Sequence, residues 1–314
     1  MRLTARHLSA SLLLVATAPL AAQPAHEAII KQKFQAELEA IAQGFDGVAG
    51  LHLVDLTSGD RFDVRGDLVF PQASAIKITI LLELFRRAET EPGLRRERIE
   101  LTAANRTGGS GVLQVLTEGG SALSLEDHAI YMILHSDNTS TNILIDRLGM
   151  DAINRLSASL GAPQTLVQRR MIQPDASARG QENLSTPREA AAIMERIATC
   201  ELPMGDASCR RVRQILEIPK GGPTRAAVPG TVPIAFKPGG ITGVATTWAL
   251  VGLAGRPYVL SVMTNYGGDG GAVVEAVSGA AYRYFSKLAG ATPHGTRVSP
   301  DLLRRVSPPP ARDP

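Results

Sequence analysis

Ser74 and Lys77 stand three residues apart in the segment Ser74-Ala75-Ile76-Lys77. Residues at this spacing share one face of a helix, so the Lys77 amine can reach the Ser74 hydroxyl. A serine hydroxyl is a weak nucleophile until a base accepts its proton. A lysine can be that base when burial or a second cation lowers its pKa. The pair is therefore a candidate for nucleophilic catalysis, although a capping serine before a surface lysine has the same spacing.

A second polar segment, Ser136-Asp137-Asn138, follows a predicted apolar helix. Its serine offers a second hydroxyl that could relay a proton to a leaving nitrogen. Its asparagine amide has both donors and an acceptor, so it could orient Lys77 and hold a substrate amide. Taken alone, the segment is better explained as a polar turn between two helices.

A third segment, Lys237-Pro238-Gly239-Gly240, lies at the predicted end of a strand. A lysine beside glycines at the edge of a sheet offers a positive charge and open backbone to an incoming acyl group. Taken alone, it is a turn with a solvated lysine.

The order of the three segments matches the signature S-x-x-K, S-D-N and K-[ST]-G of penicillin-recognising enzymes. On these motifs the chain resembles the class A β-lactamases and their relatives, over about residues 28–290. Residues 109–113, 132–142 and 185–187 extend the similarity beyond the motifs. The resemblance implies a two-lobe α/β fold of the β-lactamase and DD-peptidase type. In that fold an antiparallel sheet is flanked by N- and C-terminal helices and carries an all-helical insertion.

The resemblance also implies roles for the matching residues. Ser74 would be acylated with Lys77 as the base or its partner, and Ser136 would pass a proton to the leaving nitrogen. An oxyanion hole would combine the Ser74 N–H with one near Gly240 or Ile241. The residues that would bind the substrate are Asn138, Lys237, Gly239 and Gly240. The implied partner is a small β-lactam or a peptidoglycan peptide, with no metal or cofactor.

Two departures from the family pattern are visible in the sequence. Pro238 replaces the hydroxyl residue of the third motif, and a lost hydrogen bond to a charged group is worth about 1.5–3 kcal/mol. Thr242 or Thr246 could supply a substitute hydroxyl. Class A β-lactamases also place a glutamate in an E-x-x-L-N pattern, where it activates the water that removes the acyl group. Residues 169–183 lack that pattern, and their carboxylates, Glu182 and Asp175, are the candidate deacylation bases.

These motifs predict a serine β-lactamase that hydrolyses the β-lactam amide through a Ser74 acyl-enzyme. Because the glutamate pattern is missing, a second interpretation stays open. The protein would then be a D-alanyl-D-alanine peptidase or an amidase/esterase of the same fold with slow β-lactam turnover. A non-catalytic protein that binds lactams or cell-wall fragments is a third reading.

Periodicity and turn signals predict the elements that must position these residues. A helix and a hairpin come first, helices and loops fill the middle, and a strand meander with a closing helix ends the fold. An antiparallel sheet assembled from both ends of the chain would fit this order. The predicted helices are 25–43, 74–87, 125–134, 142–148, 150–160, one starting at 187, and 271–288. The predicted strands are 50–56, 61–64, 232–237, 246–253 and 258–265.

The two ends of the chain lie outside the predicted domain. Residues 1–22 combine basic residues, an apolar stretch and small residues, as in a secretory signal peptide, so we expect a secreted or periplasmic protein. The apolar run is short for a membrane span. Residues 292–314 are rich in proline and predict a flexible tail.

The remaining composition limits the partners and the redox state. Removal of Arg2 and Arg6 with the signal peptide would leave a formal net charge near +1 from the total of +3. No basic block stands out, so a nucleic-acid partner is not expected. Cys200 and Cys209 are the only cysteines and predict a disulfide in an exported protein, with two free thiols as the alternative. We expect a monomer.

Overall fold

The computed structural model describes residues 25–292 and 294–297. The helices are α1 (Ala25–Gln43), α2 (Lys77–Ala88), α3 (Leu125–Leu134), α4 (Asn138–Leu148), α5 (Met150–Ser159), α6 (Pro174–Ala178), α7 (Pro187–Thr199), α8 (Asp206–Glu217), α9 (Pro223–Ala227) and α10 (Gly270–Leu288). The strands are β1 (Val48–Asp55), β2 (Arg61–Val64), β3 (Phe70–Pro71), β4 (Arg98–Glu100), β5 (Ala122–Ser124), β6 (Leu184–Ser185), β7 (Ile234–Ile241), β8 (Val244–Val251) and β9 (Tyr258–Asn265). The predicted signal peptide and residues 298–314 of the predicted tail lie outside the described part.

The five-stranded antiparallel sheet joins the two ends of the described chain. Its strand order is β2-β1-β9-β8-β7, and β1 pairs with β9 from Val48↔Asn265 to Asp55↔Tyr258. Seven of the eight β1 residues are buried, because both faces of the sheet are covered. Helices α1 and α10 cover one face, where the Phe34 and Tyr284 rings stack with centroids 4.1 Å apart. The prediction of a sheet assembled from both ends, with a helical insertion between them, is confirmed.

Helix α2 forms the centre of the helical region. Its first nine residues, Lys77 to Phe85, are all buried, so apolar side chains on every side find packing partners. The predicted helix start at Ser74 is wrong by three residues, because Ala73–Ile76 form a 3-10 turn ahead of α2. This tighter turn is a common way to begin a helix, and here it holds Ser74 one turn away from the buried helix.

Local capping signals place two helix starts where they were predicted. Ser124 accepts a hydrogen bond from the Asp127 N–H at 3.1 Å and starts α3. Thr186 accepts one from the Glu189 N–H at 3.1 Å and starts α7, with Pro187 as the first helical residue. A side-chain acceptor at these positions satisfies a backbone N–H that the helix leaves free.

Strands β7 and β8 differ from the predicted boundaries. The third motif was predicted to end a strand at Lys237, yet β7 continues through Pro238 to Ile241 before a turn at Thr242-Gly243. Proline is tolerated here because β7 is the last strand of the sheet, and an edge strand has one side without ladder hydrogen bonds. The Pro and Gly residues read as a turn in the sequence are therefore part of the sheet edge.

Cys200 and Cys209 form a disulfide, so the alternative of two free thiols is wrong. Cys200 ends α7 and Cys209 lies buried within α8. The bond therefore links two helices, whereas both cysteines were expected in one connection. Among the described residues, no helix is both long and apolar enough to cross a lipid bilayer.

We predict that a variant with both Cys200→Ala and Cys209→Ala loses about 2–3 kcal/mol of unfolding free energy, because the cross-link restricts the unfolded chain. Guanidinium unfolding of the oxidised wild type and of the variant would measure this difference. The reduced wild type is the control and should match the variant. Equal midpoints for the oxidised wild type and the variant would contradict the prediction.

Candidate active site

Residues of the three motifs come from separate elements and converge on one point. Ser74 lies in the 3-10 turn, Lys77 is the first residue of α2, and Lys237 lies in β7. Ser136 stands between α3 and α4 with a left-handed backbone, φ 54°. Such a backbone is unfavourable for a residue other than glycine. A hydrogen bond from Lys77 Nζ to the Ser136 carbonyl, 2.7 Å long, holds this conformation.

Hydrogen bonds connect the two serine hydroxyls with both lysines. Ser136 Oγ donates to Ser74 Oγ at 2.8 Å. Lys77 Nζ donates to Ser136 Oγ at 3.1 Å and to Asn138 Oδ1 at 3.0 Å. Lys237 Nζ donates to the same Ser136 Oγ at 3.2 Å. Ser136 is therefore the link between the Ser74 hydroxyl and the two amines.

Burial changes the basicity of both amines. It lowers the pKa of Lys77 to about 7, although the charge of the nearby Asp137 opposes the shift. The pKa of Lys237 lies well below its usual range because of burial and because of the positive charges of Lys77 and Lys220. A neutral lysine has a lone pair, so Lys77 can accept a proton near neutral pH.

The start of α2 is held in place by a residue that the motif search missed. Gln72 is fully buried, and its Oε1 accepts a hydrogen bond from Trp248 Nε1 at 2.8 Å. Its backbone carbonyl accepts from the Ala75 N–H at 3.0 Å and from Thr246 Oγ1 at 2.9 Å. Thr246, suggested as a substitute for the missing motif hydroxyl, thus anchors the turn that carries Ser74. A buried glutamine directly before an S-x-x-K motif was the available signal.

The backbone of β7 presents an N–H group toward its free edge at Gly240. Pro238 is paired with Thr247 and has no backbone N–H. A proline fits in this strand where the backbone nitrogen faces away from β8, because no ladder hydrogen bond is then lost. Ala245, paired with Gly240, donates its own N–H to Thr264 Oγ1 on β9 at 3.1 Å. Residues two apart on an antiparallel strand point their backbone groups to the same side. The Gly240 N–H therefore points away from β8, toward the free edge of the sheet.

Glycine is required beside this edge at Gly239. A Cβ atom there would lie 2.5 Å from Thr246 Oγ1, 2.6 Å from the Gln72 carbonyl oxygen and 2.8 Å from the Ala75 nitrogen. The third motif thus packs its backbone directly against the turn that carries Ser74.

A cavity of about 400 Å³ opens over Ser74. Asn138 forms part of its wall, and its Nδ2 donates to the Gly108 carbonyl at 3.0 Å. Loop residues Met171 and Ile172 and strand residues Gly240 and Ile241 also line it. Arg169 and Glu182 of the same loop are also part of the wall. The cavity therefore combines the nucleophile candidate, an amide, a free strand edge and a loop with both apolar and charged side chains.

Comparison with known proteins explains this arrangement. A family model described as the beta-lactamase enzyme family matches residues 33–285. The chain belongs to this family. Beta-lactamase SME-1 of Serratia marcescens is 25% identical over 241 residues, which are 73% of this chain and 80% of that protein.

Solved structures give the same assignment. The class A beta-lactamase of Mycobacterium abscessus has 26% identity and a TM-score of 0.74, covering 81% of this chain and 99% of its own. A mutant of PBP-A in an acyl-enzyme complex with penicillin G has 28% identity and a TM-score of 0.73, covering 83% and 97%. The chain is therefore a hydrolase of the class A β-lactamase family.

This family member does not present either candidate deacylation base openly to Ser74. Glu182 lines the cavity, but Arg169 Nη2 donates to its Oε2 at 2.6 Å and the Ser177 hydroxyl donates to its Oε1. Both carboxylate oxygens are thus engaged within the loop. Asp175 is exposed on α6 and is not part of the cavity wall. Sequence reasoning found the only carboxylates of the loop but missed the apolar residues that face Ser74.

Loop residue Met171 is fixed in position by its backbone. Its N–H donates to Asn142 Oδ1 at 2.8 Å, and its carbonyl accepts from Asn142 Nδ2 at 3.2 Å. Because Asn142 is a buried residue of α4, the loop is tied to the same helix that begins with Asn138.

We predict that the Lys77 amine titrates with a pKa of about 7 instead of the usual lysine value of 10.5. The chain has only six lysines, so ¹³C NMR of protein labelled at lysine Cε can follow each signal, and Lys77→Arg identifies the resonance by its loss. Between pH 7 and 10.5 the unfolded chain binds a proton that the folded protein has lost. This group therefore makes stability increase as pH rises through that window. A Lys77 signal that titrates above pH 10 would contradict the prediction.

Proposed function

We propose that this protein is a serine hydrolase that opens the β-lactam ring through an ester on Ser74 and releases that ester slowly. The observation that carries the proposal is the unbroken path from Ser74 Oγ through Ser136 Oγ to Lys77 Nζ, with steps of 2.8 and 3.1 Å. The names of its relatives, beta-lactamases and PBP-A, agree with this substrate class.

Acylation needs one proton to leave Ser74 and one to reach the lactam nitrogen. Ser74 Oγ attacks the carbonyl carbon while its proton passes through Ser136 to neutral Lys77. The C–N bond of the ring then breaks, and Ser136 gives its proton to the nitrogen while Lys77 restores it. One C–O bond replaces one C–N bond, and the proton taken from Ser74 ends on the nitrogen.

The developing oxyanion would be bound by two backbone donors. Ser74 lies at the start of a helical turn, where N–H groups lack intrahelical partners, and Gly240 presents its N–H at the free edge of β7. Donors that are fixed in advance lower the barrier without reorganisation. Lys237, in the same strand, would attract the substrate carboxylate, whose negative charge favours the protonated amine and opposes the lowering of the Lys237 pKa by burial.

Release of the acyl group is the step that the site supports least. Hydrolysis of the ester needs a base within hydrogen-bond reach of an attacking water. The loop wall instead presents Met171 and Ile172, and Glu182 is engaged with Arg169 and Ser177. We therefore expect an acyl-enzyme that persists after the β-lactam ring has opened.

This same observation favours a second candidate, a D-alanyl-D-alanine peptidase. A peptidase uses the same acylation chemistry on a peptide bond and is inhibited by a lactam whose ester breaks down slowly. The similarity to PBP-A, found as an acyl-enzyme with penicillin G, agrees with this alternative.

We predict that benzylpenicillin adds its full mass to the wild-type protein at Ser74. Intact-mass and peptide mass spectrometry would locate the adduct, and Ser74→Ala should show none. Ser136→Ala should slow adduct formation by about 10²–10⁴-fold, the usual contribution of a proton-transfer group. A protein that forms no adduct, or forms it on another residue, would contradict the acyl-enzyme.

Release of D-alanine separates the two candidates. A long-lived adduct without release of D-alanine from an acyl-D-alanyl-D-alanine peptide would select the slow β-lactam hydrolase, and a long-lived adduct with that release would select the peptidase. Rapid hydrolysis of a chromogenic cephalosporin, lost in Ser74→Ala, would contradict slow release of the ester.

We predict that Met171→Glu shortens the acyl-enzyme lifetime by at least about tenfold, since a positioned general base typically contributes 10²–10⁴-fold. The Asn142 contacts are made by the backbone of Met171, so the substitution keeps those hydrogen bonds. The Met171 side chain is buried, so the unfolding midpoint of the variant is measured beside the lifetime to show that the fold is retained. Asp175→Asn is the matched control and should leave the lifetime unchanged. A lifetime that lengthens in Asp175→Asn, or one that stays constant in Met171→Glu, would contradict this account of the loop.

A further inference from the structure

A second cavity, lined by two arginines, adjoins the one over Ser74. Its volume is about 360 Å³, and it is bordered by residues 104–108, by the loop residues 170–173 and by one side of α4. The described residues of its wall include Arg106 and Arg170 but no aspartate or glutamate. A cavity whose wall carries charges of one sign concentrates ions of the opposite sign. The cavity is therefore a candidate site for an anion.

Neither arginine is fully paired within the protein. Arg106 Nη2 donates to the Leu116 carbonyl. Arg170 Nη2 lies 3.0 Å from Oδ2 of Asp146, whose own side chain is 52% exposed. The Nε of each arginine is buried and has no hydrogen-bond partner among the described residues, and a buried donor without a protein acceptor calls for an explanation such as a bound water or ion. A guanidinium carries several N–H groups, so both side chains retain donors and positive charge for a ligand.

A phosphate group suits a site with arginines on two separate segments. Each guanidinium presents a planar fork of donors that fits two oxygens of a carboxylate or a phosphate. The oxygens of a phosphate point in several directions, whereas those of a carboxylate lie in one plane. A phosphate can therefore accept hydrogen bonds from two forks that approach from different sides. It also carries about −1.5 to −2 charges at pH 7, which offset the repulsion between the two guanidinium groups.

We propose that Arg106 and Arg170 form a phosphate-binding site that is separate from the acyl-enzyme site. Arg106 precedes Thr107, whose Oγ1 accepts from Asn142 Nδ2 at 2.9 Å. Arg170 precedes Met171, whose N–H donates to Asn142 Oδ1 at 2.8 Å. The two segments thus already meet at one buried asparagine, and a bound phosphate connects them a second time. Because the unfolded chain lacks this site, phosphate stabilises the folded protein.

Isothermal titration with inorganic phosphate, at an ionic strength held constant with sodium chloride, measures the site. We expect a single phosphate per chain and an unfolding midpoint that rises with phosphate concentration. Arg106→Gln and Arg170→Gln should each weaken binding by at least about tenfold, since each removes charge-assisted hydrogen bonds. Arg170→Lys should also weaken binding, because an ammonium group cannot replace the planar fork. Acetate should bind at least about tenfold more weakly than phosphate, and equal or tighter binding of acetate would overturn the phosphate assignment.

Arg179→Gln is the matched control, because Arg179 belongs to the same loop, is exposed and is not part of the cavity wall. It should bind phosphate as tightly as wild type does. Lys237→Ala tests the acyl-enzyme site as the alternative location, since its lysine also attracts anions, and this variant should keep phosphate binding. Unfolding midpoints without phosphate show that each variant is folded.

Three results would overturn the site. Wild type that binds no phosphate is the first. The second is unchanged affinity in folded Arg106→Gln and Arg170→Gln. The third is binding that is lost in Lys237→Ala but kept in both arginine variants, which would locate the anion beside Ser74. None of these measurements requires acylation of Ser74, so the site and the proposed function succeed or fail separately.

Discussion

The burial of one amine, that of Lys77, is the constraint on which the site depends. An ammonium group excluded from water must find acceptors, and Lys77 Nζ finds the carbonyl and hydroxyl of Ser136 and the amide oxygen of Asn138. Those contacts hold the left-handed backbone of Ser136. The next residue, Asp137, accepts a hydrogen bond from the Ser140 N–H at 2.8 Å and starts α4 at Asn138. The same burial lowers the Lys77 pKa to about 7. The burial of the Lys77 amine therefore accounts both for its position beside Ser136 and Asn138 and for its lowered pKa.

Local signals made much of this fold predictable. The bounds of α1, α3 and β9 follow from periodicity and from the Ser124 cap, and the three motifs identified the residues that meet at Ser74. Pro238 was misleading because its role depends on which strand is the outermost one, a property of the assembled sheet. Likewise, the engagement of Glu182 by Arg169 depends on how the loop folds back on itself. Contacts set by long-range packing have no signature in one sequence.

Pro238 also shows how one departure alters two properties of the site. Proline lacks the motif hydroxyl that would donate a hydrogen bond to a substrate carboxylate. It also lacks a backbone N–H, and this is tolerated on the side of β7 that pairs with no other strand. The hydroxyl of Thr246 is committed to the Gln72 carbonyl, where it supports the turn that carries Ser74. In this chain the neighbouring threonine supports the turn that carries Ser74, so under the proposed function recognition of a substrate carboxylate would depend more heavily on Lys237.

The pairing of β1 with β9 has a consequence for the order in which the molecule can assemble. Strand β1 lies near the start of the described chain, but its partner ends at Asn265. Until β9 has been synthesised, the apolar β1–β2 hairpin has an open edge, and such edges promote aggregation. Folding of this sheet must therefore wait for nearly the whole polypeptide. The stacked Phe34 and Tyr284 rings add a second contact between segments from opposite ends of the described chain, α1 and α10.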